Sequence, residues 1–140
     1  MAAFAFLAIS LFSVMGAAQA APYTEEQALQ CILGEARGEP YEGQVAVAEV
    51  LRRRGGTVGF YGAAAIRRQG NRYYATEKGK LVLLSRSTVD RARKAWKESE
   101  RSDWSKSATH FEGDAFKKPY WSSNMKLVAH IGHQQFFREV

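Results

Sequence analysis

The sequence predicts an α+β fold, mainly helical, in one small domain with a β-hairpin near its C-terminal end. Two apolar segments with helical periodicity follow one another between residues 25 and 54, and this spacing is typical of amphipathic helices packed together. Gly132-His133 separates two apolar-rich runs, and a glycine at the first central position favours a two-residue type II′ turn. A chain of 140 residues has the length of a single domain.

The first helix is expected to span about 25–37, because Thr24 and Gln27 form a Thr-x-x-Gln capping box at its start. A second helix is expected from Tyr41 or Glu42 to Arg54, where Gly55-Gly56 stops it. Its apolar residues cover most of its circumference, so it should be largely buried. The short link between the two predicts a helical hairpin or corner.

The middle of the chain has weaker patterns. Residues 57–70 suggest a short helix, 71–80 a loop, and 80–85 a short apolar run of uncertain type. Tyr73 and Tyr74 fall in this loop, as ordinary packing residues or as rim aromatics for a sugar chain. A third helix is predicted from Ser87 to about Glu98, with a buried stripe of Val89, Ala92 and Trp96.

The N-terminal segment looks like an export signal. The first 24 residues carry no charged side chain, and Ala18-Gln19-Ala20 fits a small-x-small cleavage site. We therefore predict a signal peptide over residues 1–20 and a mature domain over 21–140, exported to the periplasm or cell wall. The segment lacks an initial Lys or Arg, so an uncleaved anchor is the alternative, and membrane contact is expected only in that case.

The chain is basic, with a net charge of +6 and a sequence pI near 9.6. This charge suits nucleic acid, anionic lipid or the peptide carboxylates of the bacterial wall. A nucleic-acid-binding protein would concentrate Lys and Arg on one face. Here we expect them to be spread over helix ends and loops, and export also argues against that class. The run Arg52-Arg53-Arg54 is predicted to be a solvated helix end, with Glu49 paired to Arg53.

Other chemistries have little support in the sequence. Cys31 is the sole cysteine, so it cannot form an intramolecular disulfide, and we interpret it as core filling. His110, His130 and His133 form no His-Glu-x-x-His pattern. We therefore expect no metal and no cofactor.

Glu35 is the candidate general acid. Ala28, Ile32, Glu35 and Glu39 follow one another at steps of four, three and four, so they would share one helical face. At the edge of that apolar stripe a carboxyl is partly desolvated, which raises its pKa as a proton donor requires. Gly34 beside it would let a bulky substrate approach the backbone. The alternative is a solvated surface glutamate.

The stretch Gly-Glu-Ala-Arg-Gly-Glu-Pro-Tyr-Glu-Gly-Gln-Val-Ala-Val, residues 34–47, resembles the opening motif of the cell wall hydrolase family typified by spore-cortex-lytic enzymes of the SleB kind. Two further blocks are similar to the family: 107–121, with Ala-Thr-His and then Pro-Tyr-Trp, and 126–138. The resemblance implies a lysozyme-like fold. It also implies peptidoglycan as partner and cleavage of its glycan strand between N-acetylmuramic acid and N-acetylglucosamine.

The resemblance also implies site residues. The family's catalytic acid is the first Glu of the motif, which is Glu35 here. The predicted substrate-binding residues are Glu39, Tyr41, Gln44, His110, Tyr120 and Trp121. For Trp121, packing in the core is an equal alternative. The family has Asn before Arg near the end of its second helix and Asn-His near its C-terminal end, where this chain has Leu51-Arg52 and His133-Gln134, which leaves the substrate contacts open.

Members of the spore-cortex type act as lytic transglycosylases, which need one acid, and we expect this reaction from a monomeric enzyme. One alternative is a muramidase-type hydrolase, which requires a second carboxylate. Glu112 and Asp114 are candidates for it, whereas Glu39 would lie beside Glu35 and Glu42 would cap a helix. The other alternative is a non-catalytic peptidoglycan-binding protein of the same fold.

Overall fold

The computed structural model describes residues 23–57, 59–114 and 124–140. The predicted signal segment, residues 1–20, lies outside these ranges, as do Tyr120 and Trp121. The described residues form helices of 12, 14 and 13 residues and six strands of 4, 6, 4, 4, 7 and 6 residues. The fold is therefore α+β as predicted, but the expectation that it is mainly helical is not confirmed, because strands form two sheets.

Helix α1 spans Glu25–Ala36 and helix α2 spans Tyr41–Arg54. The capping box forms as predicted: Thr24 Oγ1 accepts from the Gln27 backbone N–H at 3.2 Å, and Gln27 Oε1 accepts from the Thr24 N–H at 2.8 Å. Gly55 ends α2 with φ of +68°, a conformation that glycine adopts without strain. The two helices pack together across a four-residue corner.

A 3₁₀ helix, Tyr61–Ala65, leads into an antiparallel sheet of β1 (Ile66–Gln69), β2 (Arg72–Glu77) and β3 (Lys80–Leu83), in that order. The predicted loop over 71–80 is thus wrong, since most of it is strand β2. Tyr73 is 2% exposed and packs with Ile66 and Ala75 in the core, so it is a packing residue. We call this first sheet the 66–83 sheet.

Helix α3 spans Arg86–Glu98, and Ser85 Oγ caps it by accepting from the Thr88 N–H at 3.1 Å. The second sheet contains β4 (His110–Gly113), β5 (Met125–Ile131) and β6 (Gln134–Glu139), in the order β4-β6-β5. Gly132, with φ of +59°, and His133 form the predicted two-residue turn between β5 and β6. Phe136 on β6 is fully buried against the helices.

The basic end of α2 packs against α3 and the connector that follows it. The expectation of a solvated end is wrong for Arg52, whereas Arg53 and Arg54 are exposed. The Arg52 guanidinium lies 3.6 Å from the Trp96 ring centroid, and its Nη2 donates to the Trp96 carbonyl at 2.7 Å. Arg53 Nη2 pairs with Asp103 Oδ1 at 2.6 Å.

Glu49 does not pair with Arg53 as predicted. Its side chain is 2% exposed and accepts from the Ser102 hydroxyl, from the Trp104 N–H at 2.9 Å and from the Ser105 N–H at 2.8 Å. The sequence pattern missed this because the connector folds back over α2, and those donors are more than 50 residues away in the chain.

None of the helices among the described residues is both long and apolar enough to cross a bilayer.

Candidate active site

Glu35 lies in the last turn of α1, at the edge of the buried stripe. Ala28 and Ile32 on the same face are fully buried, while Glu35 is partly exposed. Its Oε2 accepts a hydrogen bond from the Gly62 backbone N–H at 2.9 Å. The carboxyl is therefore anchored by one donor from the 3₁₀ helix, and it retains contact with open space.

Gly34 and Gly62 allow α1 and the 3₁₀ helix to meet backbone to backbone. A Cβ on Gly34 would lie 2.2 Å from the Gly62 carbonyl oxygen, and a Cβ on Gly62 would lie 2.6 Å from the Gly34 carbonyl oxygen. The expectation that Gly34 leaves room for substrate is therefore wrong, because the 3₁₀ helix fills that space. The close approach instead delivers the Gly62 N–H to Glu35.

A groove of about 640 Å³ opens in front of this carboxyl. Its walls come from α1, the end of α2, the 3₁₀ helix and β4. Lining residues are Glu35, Arg54, Gly59, Tyr61, Gly62, His110, Phe111 and Glu112. Its lining combines two aromatic side chains with several convergent polar groups, and a concave site of this size can hold a ligand.

The environment of Glu35 favours its protonated form. Burial raises the pKa of the Glu35 carboxyl above its ordinary value, the Gly62 hydrogen bond opposes this, and the negative charge of Glu112 raises the pKa further. The shift has the direction that a general acid near neutral pH requires. Burial and the Glu35 charge also raise the pKa of Cys31 to about 12, so this thiol stays protonated inside the core.

His110 and Tyr61 present polar and aromatic groups to the groove. Burial, with help from the Arg54 charge, lowers the pKa of His110, so its imidazole is neutral and can accept as well as donate hydrogen bonds. The His110 Nδ1 lies 2.9 Å from Thr109 Oγ1. Tyr61 is 84% exposed, and an aromatic face at a rim suits stacking on a ring. The structure thus brings His110 together with Glu35.

Glu39 lies beyond the end of α1, so it does not share the helical face with Glu35. Its Oε1 accepts from the His133 N–H at 2.8 Å, and its side chain is 14% exposed. A Cβ on Gly132 would lie 2.3 Å from that same oxygen. Glu39 therefore links the β5–β6 turn to the α1–α2 corner through a hydrogen bond. It is not among the residues that line the groove.

Tyr41 and Gln44 also lie away from the groove. The Tyr41 hydroxyl donates to Glu98 Oε1 at 2.7 Å, and burial together with Glu98 raises the pKa of Tyr41 to about 12. Gln44 is 1% exposed, and its Nε2 donates to the Arg37 carbonyl at 3.3 Å. The structure gives both residues packing roles at the corner.

Gln134 was not singled out from the sequence, yet it touches the backbone of Glu35. It is 6% exposed, and its Nε2 donates to the Glu35 carbonyl oxygen at 2.9 Å. That carbonyl belongs to the last turn of α1, where intrahelical donors run out. A residue of β6 therefore fixes the end of α1 that carries the acid.

Glu112 and Asp114, the two candidates for a second carboxylate, lie in different places. Glu112 lines the groove, and its Oε1 accepts from the Gly113 N–H at 3.0 Å. Asp114 Oδ2 pairs with His130 Nε2 at 2.8 Å outside the groove. Glu42, in the first turn of α2, is exposed.

Across the described part of the chain, no cluster of three or more His, Cys, Asp or Glu side chains could hold a metal ion.

The model of the Cell Wall Hydrolase family matches residues 38–137. The chain belongs to this family. The matched residues begin three positions after Glu35 and include α2, α3 and both sheets except the last two residues of β6. The catalytic domain of the Bacillus cereus SleB protein, known from a crystal structure, is 25% identical, with a TM-score of 0.51 over 81% of this chain and 91% of that one. No curated protein sequence matched.

A cell wall hydrolase is an enzyme that degrades peptidoglycan, and peptidoglycan is accordingly the substrate of this family member. This substrate lies outside the cytoplasm, which is consistent with the predicted export. The predicted signal segment falls outside the described residues, so the route of export stays a prediction.

Several groove residues of this cell wall hydrolase were missed from the sequence. Arg54 was assigned to a solvated helix end, and Tyr61 and Gly62 to a short helix without a role. The signal that could have found them is weak, since it consists of two glycines, Gly34 and Gly62, 28 residues apart. Only a folded structure shows that they touch.

Proposed function

We propose that this enzyme cleaves the glycan strand of peptidoglycan between N-acetylmuramic acid and N-acetylglucosamine, as a lytic transglycosylase with Glu35 as its acid and base. The observation that carries the proposal is the Glu35 carboxyl, which is sheltered, held by one backbone donor and open to a groove. Family membership supplies the substrate.

In this mechanism the protonated Glu35 donates its proton to the glycosidic oxygen as the bond from C1 of the muramic acid breaks. The resulting Glu35 carboxylate then accepts the proton of the sugar's own 6-hydroxyl, whose oxygen bonds to C1. The products are a 1,6-anhydro ring and a free 4-hydroxyl. No water is consumed, so one carboxyl is sufficient.

The groove also offers groups that can bind the sugar chain and stabilise the Glu35 carboxylate. Tyr61 offers an exposed aromatic face to a sugar ring, and His110 offers hydrogen bonds to hydroxyl or acetamido groups. The Gly62 N–H bonds one oxygen of the ionised carboxylate, which stabilises the state formed after the first proton transfer.

Hydrolysis is the second candidate, and Glu112 is the observation that favours it. This carboxylate lines the same groove as Glu35, and a pair of carboxylates can divide the acid and base roles when water attacks. In that reaction Glu112 would activate the water, and the product would carry a reducing end.

The masses of the products distinguish the two reactions. Purified peptidoglycan is digested to completion, and the soluble fragments are weighed by mass spectrometry without prior reduction. We expect fragments one water lighter than the reducing forms. Fragments with reducing ends, together with complete loss of activity in Glu112→Gln, would establish the hydrolase and exclude the transglycosylase.

A further inference from the structure

The positive charge of the chain is concentrated in the 66–83 sheet and the residues just after it. Residues 66–86 contain six Lys or Arg and one Glu, a net charge of +5 against +6 for the whole chain. The six basic residues, all exposed, are Arg67, Arg68, Arg72, Lys78, Lys80 and Arg86. The other 14 Lys and Arg lie elsewhere in the chain, where 13 Asp and Glu balance all but one of their charges. The net positive charge, though not the basic residues themselves, is therefore concentrated in this segment.

The register of the sheet separates its two faces. Ile66 pairs with Ala75, and both are buried in the core. Directly paired residues point to the same side and neighbours along a strand alternate, so Arg67, Tyr74 and Leu83 point outward together. Arg72 and Leu81 lie on the same outer side.

We define the outer sheet face as Arg67, Arg72, Tyr74, Leu81 and Leu83. Leu81 is 51% exposed and Leu83 is 54% exposed. Leu83 stands beside Tyr74, which stands beside Arg67 on the next strand. The face therefore combines an apolar strip on the edge strand β3 with guanidinium groups on β1 and β2.

We propose that the outer sheet face binds the surface of an anionic phospholipid bilayer. A bilayer presents phosphate groups directly above hydrocarbon, which matches arginines next to exposed leucines. Wall carboxylates and nucleic-acid phosphates would match the charge, and Tyr74 could stack on a base, but neither partner would cover the exposed Leu81 and Leu83. None of the five residues lines the Glu35 groove, so a bound bilayer leaves that groove open.

This inference does not depend on the proposed reaction, and it differs from the expectation that membrane contact needs an uncleaved N-terminal segment. An exported enzyme of this kind would work from the membrane surface toward the wall. The contact is peripheral, through one face of one sheet.

A fluorophore on the sheet tests the proposal in the full chain. The Leu83→Cys variant is labelled with an environment-sensitive thiol dye. The native Cys31 is 1% exposed with a pKa of about 12, so the unsubstituted chain serves as the labelling blank. Leu127→Cys is the matched control, because Leu127 is 48% exposed on the second sheet. The label should move to a less polar environment at position 83, and not at 127, with vesicles of phosphatidylglycerol and phosphatidylethanolamine.

Charge is tested in the same background. Arg67→Gln with Arg72→Gln should weaken the response at position 83 at least tenfold in lipid concentration, while Lys94→Gln with Lys97→Gln on α3 should leave it unchanged. Equal responses at 83 and 127, an equal response to neutral phosphatidylcholine vesicles, or a response to duplex DNA or wall fragments in place of vesicles would each overturn the proposal. Circular dichroism of each variant checks that the fold is retained.

Discussion

The end of α1 and the middle of α2 each hold a sheltered carboxylate, and the protein surrounds the two in different ways. Glu49 is 2% exposed and accepts from one hydroxyl and two backbone N–H groups. Among the described residues, Glu35 accepts from a single N–H, and it borders an open groove. The three donors to Glu49 hold its side chain in place as part of the fold. Glu35, with one donor and an open groove beside it, can donate and accept a proton.

The largest effect is expected at Glu35. Glu35→Gln keeps an acceptor for the Gly62 N–H but removes the transferable proton, so clearing of a peptidoglycan suspension should slow by about 10²–10⁴-fold. Binding to insoluble peptidoglycan should persist, as measured by co-sedimentation. An active Glu35→Gln variant would show that another group donates the proton.

Glu49→Gln should have the opposite profile. Replacing the carboxylate sets an amide N–H₂ against buried N–H donors, which should lower the free energy of unfolding by about 2–3 kcal/mol. Activity per folded molecule should stay near that of the unsubstituted enzyme. Urea denaturation measures the loss, and Glu42→Gln on the exposed side of the same helix should change it by less than about 0.5 kcal/mol.

Gly62→Ala tests the hydrogen bond that the Gly62 N–H donates to Glu35. The new Cβ would lie 2.6 Å from the Gly34 carbonyl oxygen and 3.1 Å from Glu35 Cδ, so the 3₁₀ helix must move and the hydrogen bond lengthens. We expect activity to fall about tenfold, in line with a weakened bond to a charged group. Gly56→Ala, with no neighbour within 4 Å of its Cβ, is the control, and an equal loss there would contradict this explanation.

Glu112→Gln should move the pH profile with a modest loss of activity at neutral pH. The negative charge of Glu112 raises the pKa of Glu35, so its removal lowers that pKa. Glu35 must be protonated to act as the acid, and the alkaline limb of the activity profile should therefore shift to lower pH. Asp114→Asn, whose carboxyl pairs with His130 outside the groove, should leave the limb in place.

The smallest effect is expected in how the melting temperature of the protein depends on pH. Because the pKa of Glu35 is raised in the folded state, the folded protein keeps a proton that the unfolded chain releases above about pH 4.5. The contribution of this group is thus fully present below that pH and is lost as pH rises through the folded pKa. The melting temperature of Glu35→Gln relative to the unsubstituted protein should be higher at pH 8 than at pH 4. A constant difference would mean that the Glu35 carboxyl is not sheltered.

The helices could be predicted because their signals are local. Thr24 and Gln27 define the start of α1, and Gly55 defines the end of α2. The 66–83 sheet could not, because its alternation is carried by basic residues such as Arg72 next to buried Tyr73 and Ala75. Its turns at Gly70-Asn71 and Lys78-Gly79 were the available signal.

The candidate site, like the fold, could be predicted only where its signals lie within one segment of the chain. Glu35 was proposed from a spacing within one helix and from a motif of consecutive residues. Its hydrogen-bonding partner Gly62 lies 27 positions away, and nothing in the local sequence of Gly62 marks a contact with α1. Glu112, 77 positions away, was named only as one of two candidates for a second carboxylate, and the fold is needed to choose it over Asp114. Glu39 was placed beside Glu35 by helical spacing, but α1 ends at Ala36 and the Glu39 side chain turns toward His133.

The hydrogen bond from Gln134 to the Glu35 carbonyl joins residues 99 positions apart. During translation the acid is made long before the strand that fixes the end of its helix. A nascent chain that has not yet presented β6 therefore carries the motif without a completed site. An unfinished chain therefore lacks the contact that fixes the end of α1 until synthesis has passed that strand.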